Sequence, residues 1–302
     1  MNDHPHCNLC ARHCNVIRPE SLKSSNGTPG FCRMPEKPVL ARAGLHFWEE
    51  PCISGKSGSG TVFFSGCNLR CVFCQNHEIS TGCQGKEVSI EHLIRIYHQL
   101  IDQGAHNINL VTPTHYSHAI AKSLEQPLPV PVVYNTNAYE DLQNLKRLQG
   151  KIQIYLPDLK YALQDPAERF SNAPDYFNIA TRAILEMYQQ TGPYRMDESG
   201  ELLRRGIIIR HLILPNQIQN SLRVIDWVAE HFKPGEVLFS LMRQYVPCAD
   251  AFKYPELSGR VTDEEYQIIE DHLFESGIED GFVQDAESSS KEFIPAFDGT
   301  GI

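Results

Sequence analysis

The chain has 302 residues, of which 41% are hydrophobic and 21% charged, and a formal net charge of −10. That length and mixture exclude wholesale disorder and suit an α/β protein with a sizeable core. The acidic balance speaks against a general phosphate-binding surface, so no nucleic acid is expected as a partner.

No apolar run is long enough to cross a bilayer, and the first residues lack the basic and apolar regions of a secretory signal. A cytoplasmic location with no membrane partner is expected. Ten cysteines are present, and four of them lie in the first 32 residues. In a reducing compartment such clustering points to metal rather than to disulfides.

Residues 1–53 read as a cysteine-rich metal-binding segment, with a turn at 24–30 and little apolar periodicity. Cys7-x2-Cys10-x3-Cys14 and the later Cys32 supply four soft ligands. Four thiolates suit structural zinc or a second iron–sulfur cluster, and softness does not choose between them. His6 and His13 lie close enough in sequence to substitute. Glu49 and Glu50 could face the barrel, but a solvated pair is the default expectation.

Residues 54–250 alternate strands and helices. Strands are expected at 61–65, 108–111, 130–134, 152–156, 207–213 and 237–241. A helix capped by Ser89 carries Leu93, Ile94, Tyr97, Leu100 and Ile101, and Gly104 ends it. Further helices are expected at 139–148, 174–190 and 221–232. Six alternating strands imply parallel βαβ units, in an open partial barrel or a doubly wound sheet. The fold class carried forward is α/β, a partial (β/α)6 TIM-like barrel with the small N-terminal segment. Residues 251–302 read as a helix opened by a Thr262/Glu265 capping box, followed by an extended tail from Gln284.

Cys67-Asn-Leu-Arg-Cys71-Val-Phe-Cys74 directly follows the first core strand. Three thiolates on one short loop can hold three corners of a cubane and leave the fourth iron open to a ligand. A structural zinc site would close with four.

This C-x3-C-x2-C loop, with Phe73 before the last cysteine, resembles the signature of the radical S-adenosylmethionine (radical SAM) superfamily. The resemblance implies a [4Fe–4S] cluster on Cys67, Cys71 and Cys74, with SAM on the open iron and adenine beside Phe73. It further implies reductive cleavage of SAM to a 5′-deoxyadenosyl radical that abstracts hydrogen. A one-electron donor such as flavodoxin or ferredoxin would then be a partner.

Strand ends at 60–250 resemble the activases of glycyl radical enzymes. Tyr134-Asn135-Thr136-Asn137 and Leu156-Pro157-Asp158-Leu159-Lys160 carry the likeness, together with Arg210. It implies that Asn135, Thr136, the Leu156 carbonyl and Asp158 surround a monovalent cation near the SAM carboxylate. Lys160 and Arg210 would pair with polar groups of SAM or substrate.

The pattern departs from the family at Val111-Thr-Pro-Thr-His-Tyr116, where a Gly-Gly-Glu segment is usual. Thr112 and Thr114 are the expected replacements for its contacts, and His115 a candidate proton donor or substrate contact. Activation of a glycyl radical protein is the leading expectation. Modification of a small molecule or peptide, and a non-catalytic electron carrier, are the alternatives. Cys52, Cys83 and Cys248 stand alone, although Cys52 could join the N-terminal site; the placement of Cys248 beyond the last strand admits a substrate or radical role.

Overall fold

In a computed structural model, residues 6–284 and 295–302 are described. Six parallel strands form the heart of one sheet: β2 (Ser59–Phe64), β4 (Ile108–Val111), β5 (Val132–Thr136), β6 (Ile154–Pro157), β8 (Leu203–Leu212) and β9 (Leu238–Met242). These are the six expected strands, displaced by a few residues at their ends. Between them run helices such as Ile90–Asp102, Tyr176–Thr191 and Ile218–His231. The arrangement is a mixed α/β sheet in the manner of a partial TIM-like barrel.

Four short or flanking strands extend it. β1 (Val39–His46) pairs antiparallel with β2, and β3 (Lys86–Glu87) pairs with β1. β7 (Arg195–Met196) joins β8, and β10 (Gly281–Val283) runs parallel to β9. β1 lies in the segment read from sequence as lacking regular periodicity. A register shift between Leu40 and Arg42 explains this, because it buries Leu40 and Ala41 in succession and breaks the alternation.

Local signals act where expected. Ser89 accepts the His92 N–H and opens the helix Ile90–Asp102. Its buried face is Leu93, Ile96, Tyr97 and Leu100; Ile94 is only half-buried. Thr262 and Glu265 complete both halves of a capping box on Asp263–Glu275. The helix expected at 139–148 shortens to Leu142–Lys146, because Asp141 rather than Tyr139 caps it. Of the tail, residues 285–294 lie outside the described residues. The part at 295–302 returns to β1: Gly299 donates to the Ala41 carbonyl, Thr300 accepts from Ala43, and Phe297 packs edge-on against Phe63.

The N-terminal segment docks on the carboxyl end of β2. Arg12 stacks over Phe31 at 3.9 Å and donates to the Asn68 carbonyl at 2.7 Å. Arg70 donates to the Phe31 carbonyl at 3.4 Å. Gly66 makes this docking possible. Its φ is +79°, and a Cβ there would fall 2.2 Å from Met34 Cγ and 2.8 Å from the Cys32 carbonyl.

Candidate active site

A cavity of about 250 Å³ opens at the carboxyl ends of the parallel strands. That end is where ligands bind in folds of this class, since the strand-to-helix loops converge there. Cys67, Cys71, Phe73 and Cys74 line it from the loop after β2. Thr112 lines it from the end of β4, Asn135 and Thr136 from β5, Asp158 and Lys160 from beyond β6, and Arg210 from β8. The fold thus gathers ten of the residues singled out in the sequence around one space.

The three loop sulfurs are met by donors. Cys67 Sγ accepts from the Leu69 and Arg70 N–H groups (3.3 and 3.5 Å) and from Asn137 Nδ2 (3.4 Å). Ser80 donates to Cys74 Sγ at 3.4 Å, and Ser171 and Tyr161 face Cys71. Burial, with the neighbouring Cys71 and Cys67, pushes the Cys74 thiol up to about 12, and burial and Cys67 raise Cys71 as well, while Lys160 opposes both shifts. The donors therefore suit sulfurs that carry negative charge, as metal-bound thiolates do. Among the described residues no three Cys, His, Asp or Glu side chains crowd closely enough to hold one metal ion. Ligands on separate corners of a cubane are not required to crowd in that way. This donor set fits an iron–sulfur cluster.

Facing the sulfurs is a largely buried network centred on Arg210. Its Nε lies 2.8 Å from Asp158, its Nη1 3.0 Å from Glu49 and 3.7 Å from Glu50, and its Nη2 donates to Asn135 Oδ1 at 2.8 Å. Lys160 Nζ completes it with a 2.8 Å bond to Asp158. Two cations hold the Asp158 carboxyl below its ordinary range in spite of burial, which acts the other way. Burial dominates at Glu50 and raises its carboxyl.

Glu49 and Glu50 are thus not a solvated pair. β1 delivers them across the barrel mouth, where Glu49 also accepts from Asn109 and Asn135 (3.1 and 3.2 Å). Nothing in the local sequence around Glu49 marks this, because Arg210 lies 161 residues away. Tyr176 is a second unanticipated participant. Its hydroxyl sits 2.9 Å and 2.6 Å from the Asn137 and Asp158 carbonyls and accepts from the Lys160 N–H. It clamps two strand ends together.

Of the groups expected around a monovalent cation, the Asn135, Thr136 and Asp158 side chains have protein partners. Asn135 Oδ1 and Asp158 converge on the Arg210 guanidinium, and Thr136 donates to Glu140. Thr114 also donates to Glu140, at 2.7 Å, and lies behind the cavity wall. His115 is likewise outside the cavity. Its Nε2 is 2.8 Å from the Ser65 carbonyl, and burial beside Arg18 lowers its pKa to about 3, so the ring is neutral. Thr112 does reach the cavity and has φ +57°, a conformation rare for a β-branched residue. Cys248 donates to the Phe73 carbonyl at 3.2 Å and steadies the loop from outside. Cys52 is buried behind Glu50, and Cys83 lies against the Cys32 and Thr81 carbonyls.

The profile of the Radical SAM superfamily matches residues 61–234. The chain belongs to the radical S-adenosylmethionine superfamily. Membership brings with it a [4Fe–4S] cluster and SAM as cofactors and marks the chain as a radical SAM enzyme. A relative, the uncharacterised protein MJ0674 of Methanocaldococcus jannaschii, is 30% identical over 272 residues, covering 86% of this chain and 72% of its own. Among solved structures, Streptococcus suis SuiB bound to the precursor peptide SuiA aligns with a TM-score of 0.48 and 13% identity. The match covers 74% of this chain and 47% of SuiB, so the chain spans about half of that protein's length. A spore photoproduct lyase mutant gives a TM-score of 0.48 and 13% identity over 73% and 74% of the two chains. Neither structural likeness bears on the substrate.

Proposed function

We propose that this radical SAM enzyme abstracts hydrogen from a segment of a partner protein, a glycyl backbone position in the first instance. The observation that carries the reading is the way the cavity continues outward. Trp48, Glu49 and Gln244 belong both to its wall and to that of a second hollow of about 740 Å³, flanked by Phe47, Met196 and Phe282. Trp48 and Phe47 are 64% and 49% exposed. Large exposed aromatics beside a deep site suit a chain-like substrate that needs anchoring on both sides of the reacting residue.

In this reading Cys67, Cys71 and Cys74 would hold the cluster. Phe73 would sit against the adenine of SAM, and Thr112, Asn135 and Thr136 would border it. When bound, the cluster and SAM supply the 5′-deoxyadenosyl radical that takes the hydrogen. The chain's own part is placement and exclusion. Arg210 and Lys160 present positive charge to a carboxylate, and Glu49 and Asp158 present negative charge to an amine. The enclosing walls keep water from the reacting centre. A flavodoxin- or ferredoxin-type protein would supply the electron. Thr114 and His115 act as supports in this scheme, not as contacts to SAM.

The test is anaerobic incubation of reconstituted, reduced enzyme with SAM and a candidate glycyl radical protein. A glycine-centred EPR doublet that depends on Cys71 supports the proposal. 5′-Deoxyadenosine formation with no radical in any candidate partner refutes it. A second reading, a small polar molecule or free peptide as substrate, is favoured by the largely buried charges of Glu49, Arg210, Asp158 and Lys160 along the cavity wall. Transfer of label from a metabolite extract into 5′-deoxyadenosine would establish it. A purely electron-carrying role predicts that SAM leaves the EPR spectrum of the cluster unchanged.

A further inference from the structure

The N-terminal cysteines repeat, on a separate part of the chain, the features of the loop at Cys67. Cys10 lies within electrostatic reach of Cys32, Cys7 and Cys14, and Cys32 within reach of Cys7 and Cys14, so the four thiols share one neighbourhood. Each sulfur has a donor. The Arg12 N–H meets Cys10 and the Met34 N–H meets Cys32, in each case from two residues on. Leu69 meets Cys67 in the same way. The Phe31 N–H donates to Cys14 Sγ at 3.3 Å, and the Arg18 side chain reaches Cys7. Donors of this kind recur where a sulfur carries charge.

Arg18 is the decisive residue. It is a buried guanidinium, 4% exposed, and its donors go to neutral carbonyls: Met34 at 3.0 Å, His115 at 2.7 Å and Pro35. Among the described residues no carboxylate pairs with it; the ionisable groups near it are the sulfurs of Cys7 and Cys32 and the Tyr116 hydroxyl, and burial keeps the Cys32 thiol and the Tyr116 hydroxyl protonated in the absence of metal. A fixed positive charge is costly to bury without a counter-charge. Neutral thiols do not provide one. Metal-bound thiolates do, because four of them leave the centre anionic whether the metal is zinc or an iron–sulfur core.

The crowding that each metal demands of its ligands separates these two. Zinc requires four sulfurs at about 2.3 Å from one point. Among the described residues no three ligand side chains crowd in that way, here or at Cys67, Cys71 and Cys74. A cubane accepts ligands on separate irons and suits both sites alike.

We infer that Cys7, Cys10, Cys14 and Cys32 hold a second iron–sulfur cluster, with Arg18 as its buried counter-ion, and that this module braces the catalytic loop. The bracing runs along two routes. Arg18 holds the His115 carbonyl, and the His115 ring holds the carbonyl of Ser65, two residues before Cys67. The Cys32 carbonyl and Met34 press directly on Gly66. The inference is independent of the substrate, since it concerns residues outside the cavity.

The full chain should be reconstituted anaerobically as wild type and as Cys67→Ala/Cys71→Ala/Cys74→Ala, then assayed for iron, sulfide and zinc. The triple variant is expected to retain about four iron and four sulfide per chain, the content of one cubane. One zinc per chain, or no iron, would overturn the second cluster. In the same triple variant, Arg18→Gln should lower the midpoint potential of the remaining cluster, because a nearby cation favours the more negative reduced state. An unchanged potential would refute the counter-ion role. Cys10→Ala/Cys14→Ala should lower the iron held at the catalytic loop, read from the cluster EPR signal per chain. A full signal from that variant would refute the bracing.

Discussion

Replacing Arg210 with methionine keeps much of the side chain's bulk and removes its charge. Glu49, Glu50 and Asp158 would then share a largely buried space with Lys160 as their remaining cation, and among the described residues the ion pair of Lys160 is with Asp158. Removing one partner of a buried ion pair costs about 3–5 kcal/mol, because the other charge is left uncompensated. That is a large part of a typical total of about 5–15 kcal/mol. The pH dependence gives a sharper signature than the size. Arg210 and Lys160 depress the folded-state pKa of Asp158, so its contribution is present at neutral pH. It is lost only as pH falls below the unfolded value of about 4 and through the folded one. In the variant the crowded carboxylates take up protons at higher pH, which relieves their repulsion. The deficit should therefore be largest at pH 7 and narrow towards pH 5. Urea denaturation followed by circular dichroism at both pH values measures it. A deficit under about 1 kcal/mol at pH 7, or an equal deficit at pH 5, would refute the account of the network.

Three further outcomes follow from individual residues. Glu140 is buried among the Thr114, Thr136 and Tyr134 hydroxyls, and burial raises its pKa to about 7. The folded state thus holds a proton that the unfolded state releases near pH 4.5, and stability falls between those values by about 3 kcal/mol at most. Glu140→Gln should flatten that part of the stability–pH curve; an unchanged slope would exclude Glu140 as its source. Gly66→Ala should destabilise by about 2–4 kcal/mol through its positive φ and its clash with Met34. Met34→Ala in the same chain should restore part of the loss, and a thermal melt without recovery would place the strain elsewhere. Cys71→Ala should lose iron at the catalytic loop and abolish 5′-deoxyadenosine formation, and full turnover in that variant would remove the cysteine from the cluster.

The strands were legible because each is a short apolar run set between turn and helix signals, and the cysteine loop because its spacing is local. What escaped were partners distant in sequence. Glu49 looks like an ordinary surface acid until β1 carries it across the barrel to Arg210. Tyr176 reads as the start of an amphipathic helix, yet its hydroxyl joins two strand ends. The segment at 112–115 was only half legible. Its Thr112 faces the cavity, but the 3-10 turn at Thr114–Tyr116 rotates Thr114 and His115 into the scaffold. At Asn135 and Asp158 the strand-end sequence did not reveal that Arg210, 75 and 52 residues away, binds both side chains. At the N-terminus, Arg18 carried no motif, and only its burial beside the sulfurs gives it meaning.

The sheet does not close on itself, so among the described residues it ends on two strands, β3 and β10. An open margin of unpaired amides would invite a second copy to add its own strand. Here one margin is a two-residue strand bearing Lys86 and Glu87, and the other is the three-residue Gly281–Val283. Neither offers a long, flat, apolar template. A concentrated preparation should therefore stay free of sheet-to-sheet polymer, and any self-association should come from side-chain surfaces such as the one bearing Trp48.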